Sequence, residues 1–367
     1  MTMTSAQTTL SDSVTRTGAV SSAGNRARVD WVDYAKGFCI IFVVMLHATN
    51  GVSLAVGHEG WMGWVVAFAK PFRMPDFFMI SGLFLARVID RDWRTYVDRK
   101  VIHFAYFYVL WLTIEFAMKA PYYINRDGWE NAVLEYLNSY WQPHSSLWFI
   151  YLLPIFFVVT KLVRQWRIPV IAVWLVGAGL EMTHLHTGFD VIDEFAARFV
   201  YFYTGYVAAT YIFSLAQRAL DNPDKTILLL LVWGAINGTV VFTGYSEYPG
   251  ISLGLGLIGA CAVVAVATLM ARSGRVFEWV RYCGKNSIVI YLASFAPVPI
   301  TRVVLLKTGI ITDVGTISLI VTAVSVITPL ILFWIVRNGP FRFLFERPQW
   351  ARIEDKHPKT AALQPAE

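Results

Sequence analysis

Ten long apolar segments constrain this chain more than any other feature of its sequence. They lie at 34–57, 61–86, 102–118, 147–163, 168–184, 193–213, 226–243, 250–270, 286–305 and 314–336. Each approaches or exceeds the roughly 17 residues that a helix needs to cross a bilayer. Only 15% of the 367 residues are charged, against about a quarter in soluble domains. The sequence therefore predicts an all-α membrane protein, a bundle of ten transmembrane helices in a lipid bilayer.

The distribution of basic residues predicts the orientation of this bundle. Of 31 Lys and Arg residues, 23 lie in the two tails and in every second connection, whereas the remaining connections hold only Lys119, Arg126 and Lys307. Cytoplasmic loops carry an excess of Lys and Arg, so both termini are expected in the cytoplasm. The formal net charge of +6 does not indicate nucleic-acid binding, because the basic residues are spread over the connections between the apolar segments and do not form one run.

Three regions follow from this pattern. Residues 1–28 are rich in Ser, Thr, Ala and Gly and contain no apolar run, which predicts a disordered cytoplasmic tail. Residues 29–336 form the transmembrane domain, and 337–367 form a basic cytoplasmic tail. The connection 119–146 carries Trp, Tyr, Asn and His. It either covers a site that faces the outside or is an interfacial loop with aromatic anchors.

The first two apolar segments contain ionisable residues where a bilayer favours hydrocarbon. His47 follows Lys36 by eleven residues, a rise of roughly 16 Å in a helix, or about half of the hydrocarbon core. A charge at that depth costs about 2.5 kcal/mol or more, so such a residue indicates a functional site. In the second segment, Arg73 and Asp76 lie near Pro71 and Pro75, which are expected to break or kink the helix. Either Arg73 and Asp76 neutralise each other one turn apart, or Arg73 points at an anion or a polarised carbonyl beside His47; we favour the second interpretation.

Later segments hold further polar residues with two interpretations each. Arg198 either extends to the membrane interface or pairs with Asp193 or Glu194. Asn286 and Ser287 lie where a helix cap is expected, and Ser287 also shares a helix face with Tyr291, four residues on. Three further sets are expected to be structural: interfacial carboxylates at Glu115 and Glu181, buried thiols at Cys39, Cys261 and Cys283, and a short outer loop with His184, His186, Asp190 and Asp193. That loop lacks a third spaced ligand, so no metal site is expected.

Two stretches in series resemble the acyltransferase-3 family of integral membrane acyltransferases. Asp33-Tyr-Ala-Lys36-Gly37 followed by His47 is similar to the family's first-helix signature, and Phe72-Arg73-Met-Pro75-Asp-Phe77-Phe78-Met-Ile-Ser81-Gly82 is similar to its second-helix motif. Weaker similarities lie at Leu147-Trp148-Phe149, at Arg198 with Gly205, and from Gly284 to Tyr291. The resemblance covers about residues 29–336. Two positions depart from the family pattern: Lys36 replaces an Arg and loses its bidentate fork, and Ser294 replaces a His.

The resemblance implies a function. A member of this family is expected to transfer an acyl group, acetyl or succinyl, from cytoplasmic acyl-CoA to a hydroxyl of a carbohydrate or glycolipid outside the inner membrane, with no bound cofactor. In that role His47 is expected to act as general base or acyl relay, and Arg73 to stabilise the oxyanion. Asp33 would orient Lys36, and Lys36 would meet the donor's phosphates. Arg198, Ser287, Tyr291 and Trp148 are expected to contact donor or substrate.

Two other classes compete with this interpretation. A transporter fits ten spans with intramembrane charges, and His47 and Arg73 would then line a substrate or proton path. A membrane scaffold or receptor without chemistry leaves the buried His and Arg unexplained. The sequence does not determine the oligomeric state.

Overall fold

The computed structural model describes the backbone of residues 6–143 and 145–353, and the side chains of residues 30–143 and 146–353. Fourteen α-helices and no strand occur in this part of the chain, so the all-helical prediction is confirmed. The helices are α1 (Ala6–Val56), α2 (Met62–Leu83), α3 (Trp93–Val97), α4 (His103–Asn138), α5 (Trp148–Gln165), α6 (Val170–Met182), α7 (Asp190–Val207), α8 (Ala209–Asp221), α9 (Pro223–Phe242), α10 (Ile251–Arg272), α11 (Glu278–Lys285), α12 (Ser287–Ala293), α13 (Pro297–Thr308) and α14 (Val314–Val336).

All ten predicted segments fall on helices, but they differ in how well each one qualifies as a membrane span. Six stretches of the described chain are long and apolar enough to cross a bilayer: Asp30–Val56, Trp93–Asn138, Trp148–Gln165, Pro223–Phe242, Ile251–Arg272 and Val314–Val336. Two predicted spans are each bent pairs of helices, α7 with α8 at 74° and α12 with α13 at 59°. Helix α6 has only 13 residues, and α2 carries three charged residues. The number ten and the cytoplasmic placement of both termini stay predictions.

The second span was predicted to be broken or kinked at its prolines; the break is wrong, and the kink stays a prediction. Helix α2 continues from Met62 to Leu83 with both Pro71 and Pro75 inside it. Each proline removes a backbone donor from its helix, and a neighbouring helix supplies one nearby. The amide of Asn237, fully buried on α9, donates to the carbonyl oxygen of Phe68 at 2.9 Å, one turn before Pro71. Pro71 leaves the carbonyl of Ala67 without its helical donor, so the bond from Asn237 lies beside the freed group and fixes α9 against this part of α2.

The chain divides into two compact units. The first contains Met1–Ala86 and Pro169–Trp334, and the second contains Arg87–Ile168 and Ile335–Glu367. In the first unit α1 packs on α2, α10 and α11, and α2 packs on α7 and α10. A core cluster of this unit joins buried residues of α1, α2 and α10, with contributions from α8 and α11. The helices with the chemical motifs are therefore at the centre of this unit.

The connections of the first unit are sorted to opposite ends of its helices. Where the candidate membrane span of α1 begins, Asp30 pairs with Arg281 at 2.9 Å, and Arg281 lies in the connection 271–285, which belongs to the Lys- and Arg-rich set. Where α1 ends, Arg302 donates to the carbonyl oxygen of Gly51 at 3.0 Å, and the indole of Trp61 donates to Asp313 at 3.1 Å. This arrangement agrees with the alternation that the Lys and Arg distribution predicts.

The second unit changes the interpretation of two segments. The connection 119–146 is largely helical, because α4 extends to Asn138 with a break at Gly128, where φ is 81°. The described part of the predicted C-terminal tail packs instead of extending away. Arg347 donates to the side chain of Asp98 at 2.6 Å, and both residues are buried. Residues 354–367 and 1–5 lie outside the described part, and the predicted disorder of 1–28 stays a prediction, although α1 begins at Ala6.

Four glycines at two helix crossings set the spacing of the central helices. A Cβ atom on Gly205 of α7 would collide with the backbone of Met79, and one on Gly82 of α2 would collide with the carbonyl of Phe202. Similarly, Gly37 of α1 lies against the carbonyl of Val280, and Gly284 of α11 lies against that of Asp33. Small residues let membrane helices approach this closely. The motif glycines are thus helix-crossing points.

We therefore expect Gly205→Ala to lower the thermal unfolding midpoint of the purified protein, since the added Cβ overpacks a backbone contact at a cost of about 1–3 kcal/mol. Gly254→Ala is the matched control, because no atom lies within 4 Å of that position. The control should keep or slightly raise the midpoint, since Ala favours a helix over Gly by about 1 kcal/mol. Size-exclusion chromatography after heating measures both midpoints. Equal unfolding midpoints for Gly205→Ala and Gly254→Ala would contradict the close backbone contact between α2 and α7.

Candidate functional site

The first motif lies where α1 meets α11, among charged side chains. Asp33 is within electrostatic range of three cations, Lys36, Lys285 and Arg281. Arg281 also pairs with Glu278 at 3.2 Å. Burial lowers the pKa of Arg281, but the carboxylates of Asp30 and Glu278 more than offset this, so its pKa is raised. The sequence predicted Lys36 as a phosphate contact. The fold places two further basic residues, Arg281 and Lys285 of α11, near the same part of α1.

Arg73 is the most unusual side chain of the second motif. Arg73 is only 8% exposed. Its Nε and Nη1 atoms have no hydrogen-bond partner among the described residues. The predicted alternative, an Arg73–Asp76 pair, is not formed. The guanidinium group of Arg198 is within electrostatic range of Arg73, and no carboxylate of the described residues is paired with Arg73. An anion or a polarised oxygen would be stabilised at this position.

Asp76 has a different partner, which the sequence analysis missed. The thiol of Cys39 on α1 donates to its Oδ2 atom. Asp76 is fully buried, and its Oδ1 atom has no described hydrogen-bond partner. A signal was present in the sequence, because a carboxylate in an apolar stretch requires a donor. The spacing of the chain alone could not show that the donor is Cys39, predicted here as a structural thiol.

His47 is placed differently from the expectation of a buried imidazole. It is exposed on α1, on one face with Asn50 and Leu54, whereas the adjacent Ala48 and Thr49 are buried. The helix therefore turns the imidazole away from the packed core of the first unit. This face of α1 is accessible from outside the core of the first unit.

The remaining predicted residues are distributed over both units. Arg198 pairs with Glu194 through Nε at 3.0 Å, so one of its two predicted ion pairs is formed. Ser287 begins α12, and Tyr291 lies buried one turn further on. The expected cap is not formed by Asn286, whose amide donates to the carbonyl of Tyr282 at 2.9 Å. Trp148, the first residue of α5, belongs to the second unit.

A cavity of about 430 Å³ lies in the first unit, bordered by α2, α6, α7 and the start of α10. Arg198, Tyr201 and Glu181 line it together with Pro71 and Pro75. Glu181 was expected at the interface, but it is buried and accepts a hydrogen bond from the hydroxyl of Tyr201 at 2.9 Å. Lys70 of α2 pairs with Glu247, which lies in the connection that follows α9. The hydrogen bond from Lys70 lowers the pKa of the Glu247 carboxyl group.

The loop after α6 does not assemble a metal centre in the structure. Asp193 accepts hydrogen bonds from the backbone and hydroxyl of Thr187 at 2.9 and 2.8 Å, and this loop turns at His184, whose φ is 46°. Across the described residues, no group of three or more His, Cys, Asp or Glu side chains is arranged to hold a metal ion.

These features define a class of protein: a multi-pass helical membrane protein with a buried, incompletely hydrogen-bonded arginine at the centre of its main unit. The family model described as an acyltransferase domain matches residues 29–336, and the chain belongs to this acyltransferase-3 family. The family prediction made from the first two motifs is therefore confirmed, and membership supports a membrane acyltransferase.

One curated relative and the solved structures complete the comparison. The inner membrane protein YcfT of Escherichia coli (strain K12) is 27% identical over 172 residues, which cover 40% of this chain and 46% of the relative. The chain thus spans about half the length of that relative. No solved structure matches the chain.

The Cys39–Asp76 hydrogen bond predicts a difference between two substitutions. Cys39→Ala should lower the thermal unfolding midpoint, because a buried carboxylate that loses its donor costs about 1–3 kcal/mol or more. Cys39→Ser should retain most of the stability, since a hydroxyl can donate in place of the thiol. Cys283→Ala, at a buried cysteine elsewhere, controls for the loss of sulfur. If Cys39→Ala and Cys39→Ser melt at the same temperature, the hydrogen bond does not stabilise the fold.

Proposed function

We propose that this protein is an inner-membrane acyltransferase that moves an acetyl or succinyl group from cytoplasmic acyl-CoA to a hydroxyl of a carbohydrate or glycolipid outside the membrane. The family match supports the reaction class, and the relative named as an inner membrane protein supports the location. The donor and the acceptor are inferred from the resemblance of the two motifs.

The observation that carries the proposal is the incomplete hydrogen bonding of Arg73. A buried guanidinium is costly unless it is paired and hydrogen-bonded, yet two of its nitrogen atoms have no described partner. Acyl transfer places a negative charge on the carbonyl oxygen of a tetrahedral intermediate. Positioned donors that face this developing charge are a main source of catalysis. In this proposal Arg73 donates to the oxyanion and gains its missing hydrogen bonds only as the reaction proceeds.

His47 supplies the proton chemistry in this proposal. As general base, its imidazole takes the proton of the acceptor hydroxyl while that oxygen attacks the thioester carbonyl, and CoA leaves as the thiol. As a relay, the imidazole nitrogen first attacks the thioester and releases CoA, and the acceptor hydroxyl then takes the acyl group. General-base help contributes about 10²–10⁴-fold. The exposed position of His47 on α1 suits either role.

The charged end of α1 is the proposed contact for the donor. Lys36 and Lys285 offer cations to the phosphates of CoA, and both are within electrostatic range of Asp33, whereas Arg281 is already paired with Asp30 and Glu278. A lysine binds phosphate as a point charge, so Lys285 supplies a contact that Lys36 lacks by comparison with an Arg. Arg198, Ser287, Tyr291 and Trp148 stay proposed contacts for donor or substrate.

A transporter is the second candidate function, and a specific observation favours it. The helix pairs α7–α8 and α12–α13 are bent by 74° and 59°, and interrupted helices frequently form transporter binding sites. In such a protein, His47 and Arg73 would line the transport path, and no acyl group would be transferred.

Mass spectrometry of base-releasable acyl groups on surface and periplasmic glycans tests the proposal. Cells that lack the protein are compared with cells that carry wild type, His47→Ala or His58→Ala at matched membrane levels. We expect wild type to add an acyl mass and His47→Ala to reduce it by about 100-fold or more. His58→Ala should resemble wild type, since His58 is exposed in the turn after α1.

Two results would contradict the proposal. An acyl pattern identical in all four strains would favour the transporter, and radiolabelled substrate uptake would then be the measurement to make. An acyl mass that His47→Ala leaves unchanged would retain the acyltransferase and remove His47 from its mechanism.

A further inference from the structure

Glu181 has an acceptor atom that the protein leaves without a donor. The residue is 6% exposed and lines the 430 Å³ cavity. Its Oε1 atom accepts from Tyr201 at 2.9 Å, but its Oε2 atom has no hydrogen-bond partner in the described chain. An ionised carboxylate can only accept hydrogen bonds. The missing partner is therefore a donor.

The surrounding residues hold Glu181 in place. Tyr201 lies against Gly256 of α10, where any Cβ atom would collide with the Tyr201 hydroxyl and ring. The glycine thus leaves the space in which Tyr201 reaches Glu181. Ser252, one turn earlier on α10, also lines the cavity, and its buried Oγ atom has no described partner. Two polar atoms of this cavity, on α6 and α10, therefore need partners.

The charges of the cavity exclude ionic ligands as its best occupants. Its cations already have carboxylate partners, Lys70 with Glu247 and Arg198 with Glu194. The cavity is lined by two cations, Lys70 and Arg198, and by two carboxylates, Glu181 and Glu247. These formal charges balance, so the cavity attracts neither an anion nor an ammonium group. A hydroxyl group suits the remaining atoms, since it can donate to Glu181 and also exchange a hydrogen bond with Ser252. The volume is in the range of small-molecule sites.

We infer that this cavity binds an uncharged, hydroxyl-rich sugar through Glu181 and Ser252, and that it is the acceptor subsite. The inference rests on the proposed acyl transfer, of which it specifies the acceptor class. The sugar belongs either to a soluble glycan or to the head group of a glycolipid. In both cases one sugar hydroxyl donates to Oε2 of Glu181, and a neutral sugar is preferred to its carboxylate or amine analogue.

Binding without an acyl donor tests the subsite separately from the reaction. Wild-type protein in phospholipid nanodiscs is titrated with methyl glucoside, methyl glucuronide and methyl glucosaminide, and intrinsic fluorescence reports binding. We expect the neutral glucoside to bind at least about tenfold more tightly than the other two, the scale of a hydrogen bond to a charged group. A second set of nanodiscs contains glucosyl diacylglycerol, and loss of glucoside binding there indicates a glycolipid acceptor.

Substitutions at Glu181 separate hydrogen bonding from charge. Glu181→Leu should weaken glucoside binding by about tenfold or more. Glu181→Gln should retain it within about threefold and improve glucuronide binding, because an amide can donate to a carboxylate. Glu115→Gln is the matched control, at a buried glutamate of the second unit, and should change neither. Thermal unfolding midpoints identify any variant that is misfolded.

Three results would overturn the subsite: no binding of any of the three sugars at 100 mM (about the limit of a useful site), glucuronide binding that equals glucoside binding in wild type, or Glu181→Leu that binds as wild type does. If the glucoside binds as expected while cells show no acyl transfer, the subsite stands and the proposed reaction fails.

Discussion

The buried guanidinium of Arg73 is the feature on which the account of this protein depends. Desolvating a cation without full hydrogen bonding opposes folding, so the surrounding helices must supply the stability that holds it there. They do so by close packing at Gly82 and Gly205, where α2 and α7 approach to backbone contact. In our proposal, this unfavourable placement of Arg73 prepares the site for the negative charge of the transition state, as in other preorganised sites.

Asp76 illustrates why nearby opposite charges in a sequence need not pair. Arg73 and Asp76 are three residues apart on α2, close enough for an ion pair. Asp76 instead accepts from Cys39 on α1, and both groups keep unsatisfied atoms. If they paired, the charge of Arg73 would be neutralised. Separate placement of the two groups is consistent with the proposed role of Arg73 as the donor to an oxyanion.

Much of the architecture was predictable, because bilayer thickness and backbone hydrogen bonding allow few alternatives. The ten apolar segments all became helices, and the motifs at Lys36-Gly37 and Ser81-Gly82 indicated the family. Three results depended on contacts between distant segments and could not be predicted: the bends after Val207 and Ala293, the donor from Asn237 that accompanies an unbroken α2, and the Tyr201 contact that buries Glu181. Periodicity and composition carry no information on such pairings.

The unfolding midpoint of Arg73→Met, measured beside its acyl transfer, tests the central claim most directly. If the guanidinium is held for the reaction and contributes little to the fold, Met should keep or raise the midpoint while acyl transfer is lost. Arg302→Met is the control for loss of a structural arginine, since Arg302 donates to Gly51, and it should lower the midpoint. A large fall in the midpoint of Arg73→Met, or acyl transfer that survives it, would contradict the account.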